Sequence, residues 1–83
     1  MIQGLKDKVV IVTGGGHGIG RAYCHGFAEA GAKVVVADID APAAEKVACE
    51  VIKQFDGKAL AAKVDVANEQ STQDMAKLTL DKF

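Results

Sequence analysis

Five glycines fall between Gly14 and Gly20, within the stretch TGGGHGIG that runs from Thr13 to Gly20. Glycine weakens a helix or strand interior by roughly 0.5–1 kcal/mol relative to alanine, so this density asks for a use. The stretch follows an apolar, β-branched run, KVVIVT, and precedes RAYCHGFAEAGA, whose apolar residues recur at helical spacing. A strand that turns straight into a helix presents free backbone N–H groups and roughly half a positive charge at the helix N-terminus. Glycines there clear side chains from the path of an anion and permit positive φ in a tight turn. The chemistry these residue types suit is phosphate binding. A flexible linker is the plainer alternative, and it accounts less well for glycines wedged between two regular elements.

The spacing narrows the phosphate loop. The nucleotide-triphosphatase pattern G-x-x-x-x-G-K-[ST] fits Gly15 and Gly20, but Arg21 and Ala22 then stand where lysine and a Mg²⁺-holding hydroxyl are needed. The pattern G-x-G-x-x-G fails from Gly14, where it meets Ile19, and from Gly16, where it meets Arg21. The spacing T-G-x-x-x-G-x-G fits Thr13, Gly14, Gly18 and Gly20. Two acids sit at comparable places downstream. Asp38 ends the run KVVVAD, 18 residues after Gly20, and Asp65 closes the run KALAAKVD before Val66.

The elements that must position these residues follow from periodicity and punctuation. Lys8–Thr13 and Lys33–Asp38 read as strands buried on both faces. Ile19, Ala22, Tyr23, Phe27 and Ala30 mark a first helix that Gly31 closes. Asp40 caps a second helix with Pro42 in its first turn, and Ala44, Val47, Ala48, Val51 and Phe55 line its apolar face up to Gly57. Residues 58–66 make a third strand of weaker β propensity. Asn68 caps a last helix to about Lys82, with Met75, Leu78 and Phe83 on one side. Alternating strand and helix with short loops predicts a parallel α/β sheet, strand order 3-2-1, joined by right-handed crossovers. In that order the first strand lies at an open edge, which proteins normally pair or cover.

With these elements in place, TGGGHGIG resembles the cofactor motif of the short-chain dehydrogenase/reductase family. Asp38 matches the acidic position expected on an adenosine ribose, and Asp65-Val66 is similar to the family's Asp-Val pair beside the adenine. The resemblance covers essentially the whole chain and about the first third of a usual family member. It implies a Rossmann-like dinucleotide-binding domain over residues 1–83, the N-terminal part of a doubly wound sheet, with NAD as cofactor. Carried onto these residues, Gly14 makes the tight turn, Gly18 and the backbone of Ile19 face the pyrophosphate, and Gly20 lets the helix pack close to the sheet. His17 stands near the adenosine, or is simply an exposed turn residue. Asp38 accepts hydrogen bonds from the ribose hydroxyls, or caps the turn before Asp40. Asp65 meets the adenine amino group with the Val66 backbone beside it, or is a plain strand-end acid. Ile39 packs on the adenine face. The resemblance further implies hydride transfer between NAD and an alcohol or ketone, and a homo-oligomer for the full-length protein.

The family's catalytic Tyr-x-x-x-Lys pair has no counterpart here. Tyr23 is the sole tyrosine, Phe27 stands four residues on, and the apolar stripe predicts a core position for Tyr23. Two classes therefore stay open: the cofactor-binding portion of an oxidoreductase, and a non-catalytic nucleotide-binding module. The remaining sequence bounds the partners. A formal charge of −1 and 5% aromatics argue against nucleic acid. The run Val9–Val12 is too short for a signal peptide or a membrane span, which predicts a cytoplasmic location. Cys24 and Cys49 have no paired spacing and read as reduced thiols filling gaps between helix and sheet. His25, flanked by Arg21 and Glu29 at four residues either side, reads as part of a solvated helix face.

Overall fold

Val34, Val35 and Val36 are all fully buried. Side chains alternate along a strand, so both faces of this one are covered, and it must lie at the centre of a sheet. The computed structural model describes residues 6–55, 58–65 and 67–83. The elements are β1 (Val9–Thr13), α1 (Gly18–Glu29), β2 (Lys33–Asp38), α2 (Ala41–Phe55), β3 (Ala59–Lys63) and α3 (Glu69–Lys82). All three strands are parallel in the order β1-β2-β3. Their register aligns Val12 with Val36 and Ala37 with Ala62. The expected α/β architecture and strand order are those observed.

The two faces of the sheet are covered unequally. On one face Val12, Val34 and Val36 pack with Cys24 and Ala28 of α1 and with Ala44, Val47, Ala48 and Val51 of α2. On the other face Val35, Ala37, Ala62 and Val64 meet Met75, Leu78 and Phe83. None of the described residues of α3 is fully buried, so this second layer is thinner. It lies against β2 and β3 and leaves Val9 and Ile11 of β1 each 41% exposed. The expectation that β1 is buried on both faces is therefore corrected. Among the described residues one of its faces is packed, the other is open, and β1 lies at the edge of the sheet.

The starts of α2 and α3 are set locally. Asp40 Oδ1 accepts the Ala43 N–H at 3.2 Å, and Asn68 Oδ1 accepts the Ser71 N–H at 3.0 Å. Gly31, with φ +94°, turns the chain out of α1, and its N–H donates to the Ala28 carbonyl at 3.0 Å. The expected stop at Gly57 lies outside the described residues. The third strand is shorter than residues 58–66: its regular part is Ala59–Lys63. Three further expectations are corrected. Tyr23 is 58% exposed, and its ring lies tilted by 35° beside Phe27 at 6.2 Å between ring centroids. Cys49 is exposed, while Cys24 fills the helix–sheet gap. His25 is half-buried: its ring meets Phe55 edge-on and its Nε2 hydrogen bonds to Glu50 at 3.2 Å.

Candidate nucleotide-binding site

In a parallel sheet with helical crossovers, ligands collect beyond the carboxyl ends of the strands. Here those ends frame an open cavity of ≈ 210 Å³, lined by Thr13 and Gly14 at the end of β1, Ala37, Asp38 and Ile39 at the end of β2, and Val64 and Asp65 after β3. Four of the expected site residues, Gly14, Asp38, Ile39 and Asp65, therefore share one cavity. Ile39 is 60% exposed at its rim. Asp65 is exposed, and its Oδ1 accepts the Ala67 N–H at 3.0 Å, so it also shapes the turn into α3. Val66 lies outside the described residues.

The glycine loop divides into two kinds of position. Gly14 and Gly18 have φ of +69° and +52°, and a Cβ built on either meets nothing within 4 Å. Their surroundings are clear, which is the condition for a ligand to approach the backbone. The other three glycines face inward. A Cβ on Gly15 would stand 2.9 Å from the Val12 carbonyl oxygen and 3.0 Å from Cys24 Sγ. On Gly16 it would stand 2.9 Å from both Asp38 Oδ2 and Ala43 Cβ. On Gly20 it would overlap the Gly14 carbonyl, with the carbonyl carbon at 2.7 Å. Gly20 thus lets α1 close on the turn at Gly14.

The start of α1 has no side chain that satisfies it. His17 occupies the N-cap but makes no capping hydrogen bond, and no acid lies in the first turn. Ile19, 73% exposed, lies in that turn. Its open N–H groups and the helix dipole suit an anion. Asp38 fastens the loop beside it. Asp38 is 8% exposed; its Oδ2 accepts the Gly16 N–H and its Oδ1 the Asp40 N–H, each at 3.0 Å. The turn-capping alternative for Asp38 is thus realised, yet it does not use up the carboxylate. Each oxygen has about two acceptor sites, which leaves capacity toward the cavity. His17 Nε2 hydrogen bonds to Asp40 Oδ2 at 3.1 Å.

These features occur in a known setting. The model of the short chain dehydrogenase family matches residues 8–83. The chain belongs to this family. Among its relatives, 7alpha-hydroxysteroid dehydrogenase of Escherichia coli K12 is 44% identical over 79 residues, covering 95% of this chain and 31% of the relative. A solved structure of 7 alpha-hydroxysteroid dehydrogenase complexed with NADH and 7-oxo glycochenodeoxycholic acid superposes with TM-score 0.89 at 42% identity, over 94% of this chain and 30% of that one. L-sorbose reductase from Gluconobacter frateurii, complexed with NADPH and L-sorbose, gives TM-score 0.92 at 29% identity, over 96% and 30%. The chain spans about a third of the length of these relatives.

Within this family fold the sequence pattern missed several working residues. Gly15 and Gly16 fill unspecified places in T-G-x-x-x-G-x-G, yet each occupies space that no side chain fits. Asp40 reads from the sequence as a cap and a second acid after Asp38, and its contact with His17 is the part that spacing does not give. Arg21 donates to Glu50 of α2 through Nε at 2.9 Å and a terminal nitrogen at 2.7 Å. The hydrogen bonds from Arg21, and then that from His25, hold the Glu50 carboxyl down at about 2. Burial pushes the Cys24 thiol up to about 11, which suits a packing role beneath Gly15. Among the described residues no helix is long and apolar enough to cross a membrane, and no group of His, Cys, Asp or Glu is arranged to hold a metal.

Proposed function

We propose that these residues bind NAD(H) for an oxidoreductase that moves hydride between the cofactor and an alcohol or ketone. The residues present fit such a dinucleotide, because Gly14 and Gly18 keep open backbone at the uncapped start of α1. Gly18 and the backbone of Ile19 face the pyrophosphate, and Gly20 lets α1 pack close. Asp38 receives the ribose hydroxyls, Ile39 flanks the adenine, and Asp65 with Val66 meets its amino group. His17 stands beside the adenosine. When bound, NAD supplies the hydride acceptor or donor at its nicotinamide ring. No Tyr-x-x-x-Lys pair stands in these residues, so on their own they are expected to bind without turnover.

The observation that carries NAD over NADP is the Asp38 carboxylate in the lining of the cavity. A carboxylate accepts from both ribose hydroxyls but meets a 2′-phosphate as a like charge, and such juxtapositions cost several kcal/mol at close range. No lysine or arginine lines that cavity among the described residues. The expected preference for NAD is about a hundredfold, ~2.7 kcal/mol. The test is a pair of dissociation constants, NAD and NADP, for the parent and for Asp38→Ala. The variant is expected to bind NAD more weakly and to narrow the ratio. Equal affinities in the parent, or a ratio the variant leaves unmoved, would remove Asp38 from the ribose.

A further inference from the structure

The opposite end of the sheet carries a cavity that dinucleotide binding does not use. It has a volume of ≈ 260 Å³, and its lining includes Lys6, Asp7, Lys33 and Lys58 together with the apolar Ala28, Ala32 and Phe55. Lys33 opens β2, Lys58 directly precedes β3, and Lys6 and Asp7 lead into β1, so the cavity lies at the amino ends of the strands. No described residue lines both this cavity and the one at the carboxyl ends. Backbone hydrogen bonds fix its rim. The Asp7 N–H donates to the Gly31 carbonyl at 3.1 Å, the Lys33 N–H to the Lys8 carbonyl at 2.7 Å, and the Val34 N–H to the Lys58 carbonyl at 3.0 Å. Gly31, at φ +94°, lets the chain pass so close that an added Cβ would stand 3.3 Å from Lys6 Cα. The lysines therefore spring from backbone already held in place, which reduces the ordering that a ligand must impose.

Charge and burial decide what fits. Three lysines stand against one acid in this lining, although the whole chain has a formal net charge of −1. None of the three has an ion pair among the described residues. Lys33 is half-buried, where a cation without a counter-charge is costly. Ala28 and Ala32 are buried and Phe55 is half-buried, so part of the lining is apolar. The volume falls just below the range of about 300–1,000 Å³ usual for ligand pockets, which suits a single ring or a short chain. We infer that this cavity binds a small organic anion, a carboxylate carried on an aromatic ring or short apolar chain. The carboxylate pairs with the lysines, Lys33 foremost, and the apolar body covers Ala28, Ala32 and Phe55. Such a site needs no dinucleotide and stands whether or not the other end binds NAD.

Benzoate is the probe, titrated into the protein and followed by amide chemical shifts. Saturable shifts are expected at Gly31, Lys33 and Lys58, with Gly14 and Asp38 unmoved. Benzyl alcohol keeps the ring without the charge, and inorganic phosphate keeps the charge without the ring; each is expected to bind about fivefold more weakly or worse, ~1 kcal/mol. Lys33→Gln is expected to weaken benzoate by a similar factor, and Lys33→Arg to keep most of the affinity. Lys58→Gln alters an exposed position outside the strand and is expected to weaken benzoate as well, so it decides the matter if Lys33→Gln does not fold. Added salt should lower the affinity. Shifts confined to Gly14 and Asp38, or no saturable shift at Gly31, Lys33 and Lys58, overturn the inference. Parent affinity in a folded Lys58→Gln protein, or benzyl alcohol binding as tightly as benzoate, overturns the ionic half of it. Phosphate binding as tightly as benzoate overturns the apolar half.

Discussion

Two helix starts in this chain follow opposite logic. At α3, Asn68 accepts the Ser71 N–H and Glu69 sits in the first turn, so the helix end is closed by its own residues. At α1, His17 caps nothing, no acid follows, and Gly14 and Gly18 stand with clear space around them. A capped end stabilises the fold by about 1 kcal/mol. An uncapped one forgoes that contribution and keeps its donors for something else. The contrast teaches that the glycine loop is built as two layers, an inner one that packs and an outer one that stays open. Substitutions in the two layers should fail in different ways.

The largest expected effect lies in the inner layer. At Gly20 an added Cβ overlaps backbone at Gly14, which no rotamer change can relieve. Overpacking of this kind costs about 3 kcal/mol. A single core of this size supplies only roughly 3–5 kcal/mol in all. Gly20→Ala in these 83 residues is therefore expected to abolish a cooperative urea transition followed by circular dichroism. A variant that unfolds at the parent's midpoint would show that α1 can move off the turn, and the two-layer distinction would fail.

Next comes the outer layer, with Asn68 as its counterpart. Gly18→Val puts a β-branched side chain into space that is otherwise clear, and NAD is expected to bind at least tenfold more weakly, ~1.4 kcal/mol. The strain of φ +52° lowers stability as well, so helical content at the assay temperature must be verified. Asn68→Ala is expected to show the reverse pattern: about 1 kcal/mol of stability lost and NAD affinity unchanged. Calorimetry and thermal melts on both variants decide the matter. Equal binding losses in the two would erase the difference between open and closed helix starts.

The element order was readable because its signals are local. Val34–Val36 form an apolar β-branched run, Asp40 and Asn68 are caps, and α2 repeats Ala44, Val47, Ala48 and Val51 at three and four residues. The acids at the strand ends were readable for the same reason, since strand ends follow from the runs themselves. Features set by distant partners were not. Spacing pairs His25 with Arg21 and Glu29, yet Glu50, from another helix, takes both His25 and Arg21. Periodicity puts Tyr23 on an apolar stripe, but α1 buries the narrower line of Cys24 and Ala28 and turns Tyr23 outward. β1 reads as a doubly buried strand, but among the described residues α3 reaches only β2 and β3, and Ile11 is exposed. The packing glycines Gly15 and Gly16 were hidden because steric need depends on what lies opposite, here Cys24 and Asp38.

The smallest expected effect concerns what holds the open helix start in place from behind. Arg21 and His25 of α1 converge on Glu50 of α2, so α1 is tied to its neighbour one turn beyond the glycine loop. The Glu50 carboxyl, ordinarily at 4.5, is held down at about 2 by hydrogen bonds from Arg21 and then His25. A carboxyl with a depressed folded-state value binds protons more readily when unfolded, so folding stability is lost as pH falls. The contribution is fully present above about 4.5 and disappears as pH drops toward 2. Glu50 remains 26% exposed and Arg21 50% exposed, and water and salt screen such a pair. The expected result is modest: Glu50→Gln flattens the part of the acid limb between pH 4.5 and 2, read as thermal midpoints at low ionic strength, and added salt shrinks the difference from the parent. NAD affinity at neutral pH should change less than in Gly18→Val, because the clasp steadies α1 without touching the loop. A Glu50→Gln protein with the parent's full acid limb would assign that limb to other carboxylates. A binding loss as large as that of Gly18→Val would mean that the open start of α1 depends on its clasp as much as on its glycines.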